Sequence, residues 1–409
     1  MSISADVRPL ARRPAAPAGS TGAPAVPAGS TGAPAVPAGS TGVQAIPAIP
    51  AAGSRLSRFD LSQLGPNWYA AVMGTAIVAN GAAALPVRLP GLIGFGEVMW
   101  ALGAAALLVL AGARLVHLTR HREAARTQLL DNPATAVFYG CPPMALLAVG
   151  LGTLLLGSRV IGTGPAVAVD AVLWGVGTLY ALTVAAGIPY LMITRHRVSA
   201  LEANPTWLLP VVAPLVASAC GPALVPHLPA GTPQQALLYG CWALFGVGLL
   251  ATLVLLPVVF TGLFHSKLPT LALTPALFLV LGPLGQSVTA IHQLADAARP
   301  VLPALAPVLL PLAELYGVAV IGVAMLWLAV ALTANLRARR AGMPFAMTWW
   351  AYTFPIGTCV TGAAALAKHT GFGGFTALTV GLYLLLGTAW VLAAGGTAAG
   401  LVRGRLLAR

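Results

Sequence analysis

"TWWAYTFPIGT", residues 348–358, is apolar and aromatic enough to lie in a membrane, yet Pro355 sits in its middle, directly after Phe354. Proline removes a backbone donor and presses its ring on the carbonyl four residues back, a cost of about 3 kcal/mol in a helix interior. Lipid offers no hydrogen bond to repair such a break. A membrane helix that keeps one needs protein or water around it.

The rest of the chain has the same apolar character. Of 409 residues, 58% are hydrophobic and 8% charged, and the mean hydropathy is +0.87. A soluble domain carries about 25% charged residues, so the composition predicts an all-α integral membrane protein. From Asn67 onward, ten apolar stretches recur: 67–86, 93–116, 135–157, 165–193, 207–225, 235–261, 273–295, 305–335, 347–367 and 373–400. Each is near the ~20 residues that cross a bilayer. The breaks, such as "ALPVRLPG", "GSRVIGTGP" and "RARRAGMP", hold turn residues or charge. Residues 1–58 are different material: "PAGSTGAPAV" begins at Pro17, repeats at Pro27 and restarts at Pro37. That composition cannot bury a core, and it predicts a disordered tail. The transmembrane domain then covers 59–402, and 403–409 form a short basic tail.

Charge sets the orientation. The net charge is +13, and eighteen of the 22 lysines and arginines fall on one side of the ten spans, leaving Arg88, Arg159, Arg299 and Lys368 on the other. Basic flanks stay cytoplasmic, so both termini are expected inside a cell (inner) membrane. The basic excess is an orientation signal, aided by anionic lipid, and implies no nucleic-acid partner. Cys141, Cys220, Cys241 and Cys359 lie inside apolar stretches without CxxC or Cys/His ligand spacing. They read as small apolar residues, and neither metal nor cofactor is expected.

Prolines distinguish the spans. Pro142 and Pro143, Pro214, Pro283 and Pro355 lie inside the third, fifth, seventh and ninth, while Pro189, Pro257, Pro307 and Pro311 lie near the ends of even ones. The first span has no interior proline but carries "VMGTAIVANG". Sharp kinks in helices usually occur at proline. The alternation predicts five hairpins, with odd helices forming an inner ring around a polar path and even helices outside against lipid. The alternative is that these prolines simply bend ordinary bundle helices.

Several residues could line such a path. Gly74, Gly282, Gly285 and Gly357 would let backbone N–H groups approach an anion, and Gln286, Ser287 and Thr289 place polar groups in the seventh span. Thr75, Asn80, Thr353 and Thr358 are further candidates, although such side chains also glue helices together. Acids within or at the edges of the spans are Glu97, Asp170 and Glu314, the first two close to span starts. Glu314 lies deeper, about 12 Å into the eighth helix at 1.5 Å per residue. It reads either as a proton-coupling group or as a structural acid at headgroup level. His292 likewise reads as a proton relay or a satisfied structural histidine. The lack of a carboxylate ring disfavours a cation filter.

Three segments carry a resemblance. "NWYAAVMGTAIVANGAAALP" (67–86), "LGPLGQSVTA" (281–290) and "WWAYTFPIGT" (349–358) resemble the best-marked parts of the tellurite-resistance/dicarboxylate transporter family. That family includes the malic acid permease of yeasts, the fungal sulfite efflux pump and the slow anion channels of plant guard cells. The resemblance implies ten helices as five hairpins around a central pore, in a homotrimer with one pore per subunit. It implies that Phe354 gates the pore, whereas the bare sequence leaves an ordinary packing aromatic open. It also implies transport of small anions, with C4-dicarboxylates such as malate first and sulfite or tellurite-related oxyanions second. An intramembrane enzyme or haem subunit is the competing class. It would need placed axial ligands, and only His292 lies plainly within a span.

Overall fold

In a bilayer the backbone must satisfy its own hydrogen bonds, and the chain does so with helices. The computed structural model describes residues 61–267 and 270–406, and among these no strand occurs. The tail expected over 1–58 lies outside the described residues, as do 407–409 of the basic tail.

Ten helical segments organise the described chain: α1 Tyr69–Ala84, α2 Leu92–Arg120, α3 Pro133–Ile161, α4 Thr163–Thr194, α5 Pro205–His227, α6 Thr232–Ser266, α7 Leu271–Val301, α8 Ala306–Arg340, α9 Thr353–Thr370 and α10 Gly373–Val402. Eight of them, all but α1 and α9, are long and apolar enough to cross a membrane. The short helix Arg122–Leu130, in a stretch expected to be a loop, follows α2.

Burial separates two classes. In α2, α4, α6, α8 and α10 only 22–28% of the most apolar window is buried, against 61%, 94% and 78% in α3, α5 and α7. Twelve of the 16 residues of α1 and thirteen of the 18 of α9 are buried too. Exposed Leu108, Leu179, Leu250, Leu326 and Leu384 belong to the first class, and lipid is the solvent that accepts such surfaces. Shielded from lipid, α1 and α9 can be shorter and carry Thr, Asn and Gly.

The five buried helices contact one another in a closed circuit, α1 to α3, α5, α7, α9 and back to α1. Each also packs on the helix that follows it in the chain. Indole N–H groups of the outer helices bond inward. Trp100 donates to Thr153 Oγ1 at 2.9 Å, Trp174 to Ala217 O at 2.9 Å, and Trp327 to Leu277 O at 2.8 Å. Trp390 donates to Thr75 Oγ1 at 3.0 Å and Tyr383 to Val78 O at 3.1 Å, which fastens α10 onto α1.

The prolines expected to kink helix interiors mostly do something else. Three 3₁₀ stretches, Val137–Gly140, Leu271–Val280 and Met347–Tyr352, each pass directly into α-helix. Pro142, Pro143, Pro283 and Pro355 fall within the first three residues of those α segments. There a missing N–H breaks no i→i−4 bond of the α segment. Among these residues, only Pro214 sits inside its α segment, Leu209–Cys220. The bend is thus replaced by a change of helix type, and mid-helix 3₁₀ stretches often mark functional hinges.

Close approach between α7 and α9 depends on Gly285. A Cβ there would lie 2.5 Å from both Thr358 C and Cys359 N, backbone atoms that cannot rotate away. Gly285→Ala is expected to cost about 1–3 kcal/mol and to lower the melting temperature in detergent. Gly322→Ala on α8, where a Cβ meets nothing within 4 Å, is expected to leave it unchanged. Equal melting of the two variants would contradict this packing.

Candidate functional site

All five buried helices line a cavity of about 590 Å³. They also line two much smaller spaces of about 30 and 20 Å³. The boundary between large and small falls at one level. On α1 it passes between Met73 and Ile77, on α3 between Met144 and Ala148, on α5 between Val212 and Val216, and on α7 between Gly282 and Gln286. Each step is four residues, about 6 Å of helix. On α9, Phe354 alone lines all three spaces, and its side chain is 3% exposed.

Local structure fixes that ring. The 3₁₀ stretch before it is anchored on three sides: Trp350 Nε1 donates to Thr397 Oγ1 at 2.9 Å, Thr348 Oγ1 to Ala272 O at 2.5 Å, and Tyr352 OH to Asn335 Oδ1 at 2.9 Å. Asn335 Nδ2 in turn donates to Thr274 O at 3.2 Å, and the Phe278 ring meets Tyr352 edge-on at 4.9 Å. The α segment then starts at Thr353, with Phe354 its second residue at the boundary and Pro355 its third.

The sequence candidates divide by contact. Gln286, Thr289 and His292 line the large cavity, as does Asn80, and Gly282 lines a small one. The Gln286 side chain makes no hydrogen bond among the described residues, which leaves its amide free for a solute in the cavity it lines. Thr289 Oγ1 pairs with Thr361 Oγ1 at 2.7 Å. Asn80 Nδ2 donates to Ala148 O at 3.0 Å while its Oδ1 has no partner among the described residues.

Others serve packing. Ser287 bonds outward, accepting from Tyr316 OH at 2.8 Å. Thr75 donates to Ala71 O at 2.8 Å, Thr353 to Trp350 O at 2.7 Å, and Thr358 to Pro355 O at 2.7 Å. A Cβ on Gly74 would run into Thr353, and one on Gly357 into Ile77. Glu314 is half-buried on α8, away from the lining of all three spaces. Asp170, read from sequence as close to a span start, is 1% exposed against Gly150 of α3, and neither carboxyl oxygen has a hydrogen-bond partner among the described residues.

A charged cluster that sequence reading missed closes the wide end. Asp296 accepts from Lys368 Nζ at 2.8 Å and His369 Nε2 at 2.9 Å, with Arg299 Nη2 at 3.5 Å. His369 stacks on His292 at 5.2 Å. The expected seventh span stopped at 295, whereas α7 runs to Val301. The spacing His292, Asp296, Arg299 (four, then three) was the available signal for a shared helical face.

Residues 63–398 match the family described as voltage-dependent anion channel, SLAC1. The chain belongs to that family. A multi-pass membrane protein that carries anions is the class this membership gives. Among similar curated proteins, the sulfite efflux pump SSU1 of Arthroderma otae is 28% identical over 356 residues, covering 84% of this chain and 93% of that pump. The SSU1 pump of Trichophyton rubrum is 27% identical over the same length. An uncharacterized transporter of Methanocaldococcus jannaschii is 24% identical over 329 residues, 80% of this chain and 90% of that protein. In an anion channel fold, the free amide of Gln286 and the internally bonded hydroxyl of Ser287 should behave oppositely. Gln286→Leu is expected to leave the melting temperature unchanged and lower anion flux. Ser287→Ala removes the Tyr316 bond, worth about 1 kcal/mol, and is expected to lower the melting temperature with flux retained. The reverse pattern would contradict the assignment of faces.

Proposed function

We propose that this chain conducts small oxyanions across the cell membrane through the interior of the five-helix circuit, with Phe354 as the gate. All ten segments cross the bilayer in this reading, with both termini cytoplasmic, as the arginine distribution favours. The observation that carries it is the single boundary level: four helices give way from small spaces to a wide cavity within one turn, and one aromatic fills the interval. Beyond Phe354, neutral dipoles from Gln286, Asn80 and Thr289 line the route. Weak, multiple contacts of that kind let an ion leave as readily as it enters.

Sulfite is the first substrate, on the strength of the similarity to sulfite efflux pumps along 84% of the chain. A four-carbon dicarboxylate such as malate is second, since a cavity of about 590 Å³ admits it. Of the two groups with a proton-coupling expectation, His292 borders the route and Glu314 does not. A homotrimer remains part of the reading through the family resemblance.

The test is flux into proteoliposomes of labelled sulfite, malate and chloride, with pH and potential gradients varied independently. Phe354→Ala is expected to raise flux about tenfold, equivalent to ~1.4 kcal/mol off the barrier. Unchanged flux at normal expression and melting would count against the gate. Sulfite carried no faster than malate would reverse the substrate order.

A further inference from the structure

We propose that Asp296 is a built-in competitor for the transported anion. Its carboxylate occupies the two donors, Lys368 and His369, that would otherwise receive a doubly charged oxyanion at the wide end of the cavity. This rests on the reading of the cavity as an anion route.

Asp296, Lys368 and His369 all line the cavity, so the cluster faces the space a solute would enter. His369 presents Nδ1 to Ala365 O at 2.8 Å and Nε2 to Asp296 Oδ1 at 2.9 Å. Lys368 and Arg299 set two positive charges against one carboxylate, so the mouth keeps a net positive charge.

A purely structural bridge between α7 and α9 accounts for less. Those helices already meet at backbone distance, where a Cβ on Gly362 would lie 3.1 Å from Gly285 O. The Lys368 side chain is 68% exposed while Asp296 is 25% exposed, so Lys368 can exchange its carboxylate for a solute oxygen without breaking packing. His369, at 5%, is held by Ala365 and by the His292 ring, and stays in place as the second donor. An arriving oxyanion thus finds one mobile and one fixed donor, a two-point site for a divalent oxyanion such as sulfite.

The measurement is the sodium sulfite concentration that gives half-maximal thermal stabilisation of the detergent-purified full chain, with chloride matched for ionic strength. Asp296→Asn keeps the shape and removes the competing charge, and it is expected to lower that concentration about three- to tenfold. Lys368→Met, at an exposed side chain, is expected to raise it by a similar factor. In proteoliposomes the same shifts should appear in half-saturation only when sulfite is supplied from the Lys368 side. Asp296→Asn binding as the parent or more weakly overturns the proposal. If that variant fails to fold, Lys368→Met binding as the parent overturns it, and so does the absence of saturable stabilisation in the parent. Failure of the parent to carry any anion would instead remove the conduction reading, which the binding measurement reports separately.

Discussion

A helix enclosed by other helices is released from the demands that lipid makes on its surface, and that release is the constraint on which this protein is built. The outer helices pay for it with continuous apolar surface, seen in exposed leucines such as Leu108 and Leu250. Inside them, proline, glycine, 3₁₀ stretches and unpaired amides become tolerable. The fastening of α10 to α1 through Trp390 and Tyr383 matters most, because it joins the two ends of the described fold. Opening that seam would expose Thr75 and Asn80 to hydrocarbon, where an unpartnered polar group costs several kcal/mol.

The enclosed space acquires its form from register. Four helices whose lining residues switch from small spaces to a wide one within four residues need only a single large side chain on the fifth to separate them. Phe354 is that side chain, held by a 3₁₀ segment whose Thr348, Tyr352 and Trp350 are tied to α7, α8 and α10. Beyond it, neutral dipoles give way to the charged cluster around Asp296. An anion entering from the Lys368 side would meet full charges first and dipoles afterwards, a gradient that attracts without trapping.

Much of this was legible in the residues. Apolar runs located the helices, and interior prolines marked four of the five buried ones, α1 having none. The role of those prolines was not legible, since a proline at the start of an α segment looks the same in sequence as one in a helix interior. Nor was the direction of each polar side chain: Gln286 and Ser287 are neighbours, yet one faces the cavity and the other bonds to Tyr316. Asp296 was lost because hydropathy ends a span at the first charges, whereas a helix continues as long as its backbone bonds do. Asp170 does lie near the start of its span, but its burial against Gly150 of α3 is not legible from that position.

The central claim is that Phe354 alone separates the two sides of an enclosed path. It is tested most directly by thiol labelling in a background lacking the native cysteines, with Met73→Cys on the narrow side and Ile77→Cys on the wide side. A small impermeant reagent applied from the Lys368 side is expected to reach position 77 and not 73, and to reach both once Phe354 is replaced by alanine. Labelling of position 73 from that side with Phe354 intact, or continued protection after its removal, would contradict the account.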